Sequence, residues 1–209
     1  MIKTVLLAVL AVAAGQAAVL YNNTSTDQQF SPVYSTGYTE IGDQVQLASQ
    51  SLLTSLDAQF YNLGSDATFD ATVTFYETGA PVGTLIGSAF TVTGISIGAA
   101  ASQTVSFANL GSLLVPADLI VVLSVQNVSS GGDIGVNLFD PPTVGTSDNT
   151  FFFANDGNGL AQASTLLDID NIYLQIEGTP AGAPIPEPAT GAVTFALLAV
   201  LAVCKRRVV

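Results

Sequence analysis

Ala71-Thr72-Val73-Thr74-Phe75-Tyr76 alternates apolar and polar side chains without a break. In an extended strand Ala71, Val73 and Phe75 face one way and Thr72, Thr74 and Tyr76 the other, so one face is expected to enter a core and the other to meet water. Hardly any helical period competes with this reading. Outward in both directions, short runs of Val, Ile, Thr, Phe and Tyr recur between clusters of Gly, Asn, Asp and Pro, which is the pattern of an all-β domain. The further strands expected are 18–21, 44–48, 59–62, 90–97, 104–107, 119–125, 134–139, 150–154 and 171–177. Leu119-Ile120-Val121-Val122-Leu123 is almost continuously apolar and predicts a central strand covered on both sides.

The breaks carry turn chemistry. Thr78-Gly79-Ala80-Pro81, Gly131-Gly132-Asp133, Asp140-Pro141-Pro142 and the stretch from Asn155 to Gly159 suit backbone positions with positive or fixed φ. Most acidic residues fall in or beside such loops. With no Lys to blunt a sheet edge, Asp, Pro, Gly or sheet closure must do it. The expectation is a β-sandwich of about eight to ten strands, jelly-roll or immunoglobulin-like, with helix confined to the two ends of the chain.

Of 209 residues, 16 are Asp or Glu and only 4 are Lys or Arg, and there is no His. The bases are Lys3, Lys205, Arg206 and Arg207, so everything from Thr4 to Cys204 holds all the acid and no base. Such a body cannot displace counterions from phosphates, which excludes nucleic acid as a partner. The usual general base, the commonest transition-metal ligand and a Schiff-base or phosphate-clamping Lys are all missing from it. The lone Cys204 builds neither a disulfide framework nor a thiolate cluster. A serine nucleophile would lack its base, and no Gly-x-Ser-x-Gly elbow or phosphate-binding loop occurs. A glycosidase needs two carboxylates across one cleft; some pair among so many acids is expected by chance, and no Trp offers a sugar platform. The chain is therefore not expected to be an enzyme.

The two ends differ from the body. Met1-Ile2-Lys3, an apolar stretch and the small-residue segment Gly15-Gln16-Ala17-Ala18 have the layout of a secretory signal peptide over residues 1–17, with cleavage after Ala17 or Ala18. Residues 18–179 form the acidic β-domain and 180–188 a Pro-rich linker that cannot extend a helix backward. Residues 189–204 are apolar and near the short limit for a transmembrane helix. Lys205, Arg206 and Arg207 in the tail 205–209 then act as a cytoplasmic stop, which by the positive-inside rule leaves the acidic domain facing outward.

This tail, Pro186-Glu187-Pro188 followed by a short apolar helix and a basic terminus, resembles the PEP-CTERM sorting signal of bacterial exopolysaccharide-associated proteins. The resemblance implies that an exosortase, a polytopic membrane cysteine protease, cleaves near Pro186-Glu187-Pro188 after export through the secretion machinery. The product would reach the cell surface or extracellular matrix, with exopolysaccharide as a candidate partner. The alternative is a plain tail anchor. The stretch from Val73 to Gly79, the segment from Pro81 to Gly87, the strand at Phe90 and the opening Val19-Leu20-Tyr21-Asn22-Asn23 are similar to the choice-of-anchor β-domains that often precede such tails. That family carries no established activity, so no catalytic residue is implied.

Two acidic stretches, Asp156-Gly157-Asn158 and Asp168-Ile169-Asp170-Asn171, offer the hard oxygen ligands that calcium prefers, with Asp156, Asn158, Asp168 and Asp170 as candidates. Neither follows the twelve-residue calcium loop, and both equally suit solvated turns. No other cofactor is suggested. Phe151-Phe152-Phe153 predicts a strand covered on both faces, or else an exposed patch for self-association or glycan. Asn22, Asn23 and Asn127 begin glycosylation sequons. The functional expectation is a structural or adhesive surface protein; the alternative is a calcium-dependent carbohydrate-binding module.

Overall fold

The computed structural model describes residues 17–29, 32–34, 37–79, 82–155, 161–163 and 171–182. These fall in one compact unit, Ala17–Ala181, apart from Gly182. The segments expected as signal peptide, linker and apolar helix lie outside the described residues, apart from the boundary residues at Ala17 and 180–182. Among the described residues no helix is long and apolar enough to cross a membrane.

The unit is all-β and antiparallel. Its strands are β1 (Ala18–Asn23), β2 (Tyr38–Gln46), β3 (Ser51–Asn62), β4 (Ala67–Glu77), β5 (Leu85–Ile97), β6 (Ala101–Val115), β7 (Asp118–Gln126), β8 (Ile134–Val136), β9 (Leu138–Phe139), β10 (Thr146–Asn155), β11 (Ala161–Ala163), β12 (Asn171–Ile172) and β13 (Leu174–Pro180). One sheet runs β1-β13-β3-β6, with β8 continuing the place of β13 beside the end of β3. The other runs β11-β10-β2-β7-β4-β5, and β9 pairs with β12 on its own.

The two larger sheets share one apolar core, an arrangement consistent with a β-sandwich. Leu56, Phe60, Phe107 and Ile176 from the first sheet meet Ile41, Phe69, Phe75 and Val121 from the second. Phe60 packs against Phe69 across the layers with ring centroids 5.3 Å apart. Each such buried side chain contributes about 1.5–3 kcal/mol relative to an exposed one. In β4 the alternation holds as expected: Ala71, Val73 and Phe75 are buried while Thr72, Thr74 and Tyr76 are half-buried.

Strand β7 is central, paired with β2 on one side and β4 on the other, and Leu119 to Leu123 are all buried. Leu119, Val121 and Leu123 enter the main core; Ile120 and Val122 lie on the opposite face under Phe152. Phe152 is 2% exposed, so its face of β10 is covered. Gly42 makes this possible: a Cβ there would stand 2.9 Å from Val122 Cγ2 and 3.4 Å from Phe152 Cβ. Phe153, one residue on, meets Tyr38 edge-to-face at 5.2 Å.

Several strands differ in extent from the sequence reading, each for a local reason. Strand β2 starts at Tyr38, not residue 44, and ends at Gln46 before Leu47 and Ala48. Strand β3 begins at Ser51 because a register shift between Leu53 and Ser55 resets the alternation that the sequence breaks there. Strand β6 runs far beyond residues 104–107, carried past Asn109, Gly111 and Ser112 by positive φ. Positive φ at Gly87 and Gly94 likewise bends β5, which also lies at a sheet edge. Bulged edges of this kind resist edge-to-edge pairing without Lys. Runs 134–139 and 171–177 each split in two. Asn137 and Tyr173 stand at the breaks, joined by the Tyr173 N–H donating to Asn137 O at 2.9 Å.

Candidate functional site

The split at Asn137 and Tyr173 turns β9 and β12 away from β3 and brings Asn171 and Ile172 against β2. There stands Asp43, on the same face of β2 as Ile41 and Val45 and therefore aimed at the interior. It is 1% exposed. Its Oδ2 accepts the Ile172 N–H at 3.1 Å, and its Oδ1 lies 3.3 Å from Ser147 Oγ on β10. Ser147 Oγ also lies 2.9 Å from Gln44 O and against Asn171 Oδ1. One hydroxyl proton is thus offered to three acceptor oxygens. Asn171, fully buried, uses its Nδ2 to reach Asp140 Oδ1 at 2.8 Å. Asp140 is half-buried at the end of β9, so the cluster reaches solvent there.

From β1, Tyr21 and Asn23 point inward together, two residues apart and both 0% exposed. The Asn23 Nδ2 donates to Phe139 O at 2.8 Å and to Ile172 O at 3.2 Å. Its Oδ1 has no hydrogen-bond partner, and neither has the Tyr21 hydroxyl. Burial, followed by the charges on Asp43 and Asp140, pushes the Tyr21 hydroxyl far above the usual tyrosine range. Gly145 seats the loop over this ring: its φ is +74°, and a Cβ would stand 2.8 Å from Tyr21 Cδ2. The site therefore draws on β1, β2, β9, β10 and β12.

Buried polar atoms left without partners typically cost about 1–3 kcal/mol each, and native folds keep few of them. Here two stand beside two carboxylates, in a body whose sequence holds no Lys, Arg or His. Among the described residues no three His, Cys, Asp or Glu side chains gather as a metal-ligand group. Around the Ser147 hydroxyl stand oxygens of the Asp43 carboxylate, the Gln44 backbone and the Asn171 amide.

Of the residues singled out for calcium in the sequence, Asp156, Asn158, Asp168 and Asp170 lie outside the described residues. Asn171, the last residue of the second stretch, is the part of it seen at the site. Asp43 was missed, although Ile41-x-Asp43-x-Val45 carries the signal: an acid at the centre of an apolar alternation. Asn22, Asn23 and Asn127 differ as sequons, because the Asn23 amide is buried and engaged and the folded chain cannot present it for glycosylation.

Two acids elsewhere in the described body hold turns together through hydrogen bonds. Asp66 Oδ1 accepts the Ala99 N–H at 2.8 Å in the β5–β6 turn. Asp70 accepts Gly94 N–H at 2.8 Å and Asn127 Nδ2 at 2.6 Å, which together hold its carboxyl below the usual range. A depression of about 390 Å³ lies over Asp66, Thr68 and Ser129, but it is open and its Asp66 is already engaged.

No family model matches the chain, and no curated protein matches it. Among solved structures, "Structure of infectious bursal disease virus Gt strain" is similar at 15% identity and a TM-score of 0.34. The match covers 95% of this chain and 52% of that one, so the chain spans about half the length of the protein it resembles. A likeness at that score carries no argument about fold or function.

Proposed function

We propose that the chain is an exported structural or adhesive protein of the cell surface or extracellular matrix, sorted through its C-terminal tail by an exosortase. The observation that carries this reading is the tail itself: Pro186-Glu187-Pro188, the apolar run 189–204 and Lys205-Arg206-Arg207, in a chain that opens with the layout of a signal peptide. In this reading residues 1–17 are removed on export, the domain faces outward while the tail crosses the membrane, and cleavage near Glu187 releases or transfers it. The finer architecture is a sandwich of jelly-roll or immunoglobulin-like type. The acidic body suits a soluble matrix component, since net charge of one sign opposes non-specific association. It has no enzymatic role and no nucleic-acid partner.

Intact mass of the protein recovered from its native envelope and medium tests the proposal. The expected product lacks both the N-terminal segment and everything after the Pro186-Glu187-Pro188 region. A product that retains Arg206 and Arg207 overturns exosortase sorting and leaves a permanent tail anchor. The second reading, a calcium-dependent carbohydrate-binding module, is favoured by the oxygen cluster at Asp43. It expects retention on exopolysaccharide that EDTA abolishes.

A further inference from the structure

Asp43 sits in the space between two sheets, where an ionised carboxylate is costly unless it is paired or holds a cation. From Thr4 to Cys204 the sequence holds no Lys, Arg or His to meet that charge. Hydrogen bonds from Ile172 N–H and Ser147 Oγ reach it. Asn171 Oδ1 and Gln44 O crowd the same hydroxyl, and Asp140 brings a second carboxylate through Asn171.

Independently of the acids, two fully buried polar atoms on β1 have no partner: Asn23 Oδ1 and the Tyr21 hydroxyl. They lie on the inward face of β1. The Asn23 amide is pinned between Phe139 and Ile172, the residues adjoining Asp140 and Asn171. An unpartnered carbonyl oxygen gains nothing from another acceptor, but it does gain from a cation.

We propose that this cluster is a divalent-cation site, with Asp43, Asp140 and the side-chain oxygens of Asn23 and Asn171 as ligands and the Tyr21 hydroxyl contacting the cation or its water. Calcium fits the donor set. It accepts six to eight oxygens, mixes carboxylates with amide carbonyls and water, and tolerates irregular geometry, whereas magnesium demands a near-ideal octahedron and keeps most of its water. The half-buried Asp140 provides the entry from solvent. Bound there, the cation would tie β1, β2, β12 and the end of β9 together and offset part of the self-repulsion of the acidic body. The inference rests on the described domain alone and on neither reading of the tail.

The test uses the full chain, stripped with chelator and then titrated with CaCl2, with MgCl2 and with NaCl at matched ionic strength. Terbium provides a direct probe. The chain has no Trp, so luminescence must be sensitised by Tyr, and Tyr21 stands at the site. The expected result is one terbium per chain, displaced by calcium, with a calcium-specific rise in Tm of about 5 °C or more. Asp140→Asn and Asp43→Asn should each weaken calcium binding about tenfold or more. Asp57→Asn, which removes an equal charge from β3, should not. If Asp43→Asn fails to fold, the half-buried Asp140 still decides the matter. Equal Tm shifts with calcium and sodium, or wild-type calcium affinity in Asp140→Asn, would overturn the site. Neither result bears on the intact-mass test of sorting.

Discussion

Strands β7 and β2 are neighbours in one sheet, and the residues they send into the interior could hardly differ more. From β7 come Leu119, Val121 and Leu123, all fully buried in the common core. From β2 come Ile41, Asp43 and Val45, equally buried. Asp43 is the register partner of Val121. The apolar line needs only close packing, since every atom it buries is better off out of water. The mixed line needs hydrogen-bond donors as well, and β10 and β12 bring them in the Ser147 hydroxyl and the Ile172 N–H. Burial alone does not make a core; the chemistry gathered around a buried residue does.

Erasing the difference gives the largest expected effect. Val121→Asp would put a carboxylate opposite Asp43 on a strand with no donors to meet it, and an uncompensated buried charge costs about 3–5 kcal/mol. Urea unfolding should show little or no folded protein. A variant as stable as wild type would mean that the interior at β7 is wetter than its burial indicates.

Gly42→Ala tests the outer face of the same two strands. Its Cβ would press on Val122 Cγ2 at 2.9 Å and on Val121 O at 3.0 Å, and overpacking of this kind costs about 1–3 kcal/mol. The lowered urea midpoint should come with an unchanged m-value.

Tyr34→Phe is expected to cost less. The Tyr34 hydroxyl donates to Leu123 O at 2.9 Å in a buried setting, and a net loss of about 1–2 kcal/mol is expected from leaving that carbonyl short. Burial, and then the charge on Glu40, hold this hydroxyl well above the usual tyrosine range. In a spectrophotometric titration Tyr21 and Tyr34 should therefore stay protonated until alkaline unfolding exposes them.

The smallest effect concerns Glu40, half-buried on β2, whose carboxyl is pushed up by burial. Tyr76 and Tyr34 are the titratable groups that feel its charge. A raised folded-state pKa means that the fold penalises the ionised form. The stability associated with Glu40 is thus fully present below its unfolded pKa and is lost as pH rises through the folded value. Glu40→Gln should be flatter than wild type in urea midpoint between pH 4 and 7. Parallel profiles would remove Glu40 as the cause.

How far the sequence reached differs between the same two strands. The unbroken run from Leu119 to Leu123 exposes β7 to any reading of hydrophobic pattern, and its central place follows from being apolar on both faces. In β2 the alternation through Ile41, Asp43 and Val45 is just as regular, but an acid in it reads as a loop, so the strand start was placed too late. Asn137 and Tyr173 were unreadable for another reason: nothing local marks a break there, and the hydrogen bond that sets it joins two distant segments. Asn171 was legible as an oxygen donor, though not the place to which it would be carried.

Alternation of side chains, the turn residues and the absence of any base from the body are local properties, and they determined from the sequence alone that the described domain is all-β and acidic. The tertiary structure decided where its one buried carboxylate on β2 would find company. Asn23 and Ile172, separated by 149 positions, meet beside it. Such a meeting depends on strand order, on the splitting of β9 and β12 from their neighbours, and on two sheets closing over one interior. Each of these is a balance of burial and hydrogen bonding summed over the whole domain, and no short window of sequence contains that sum.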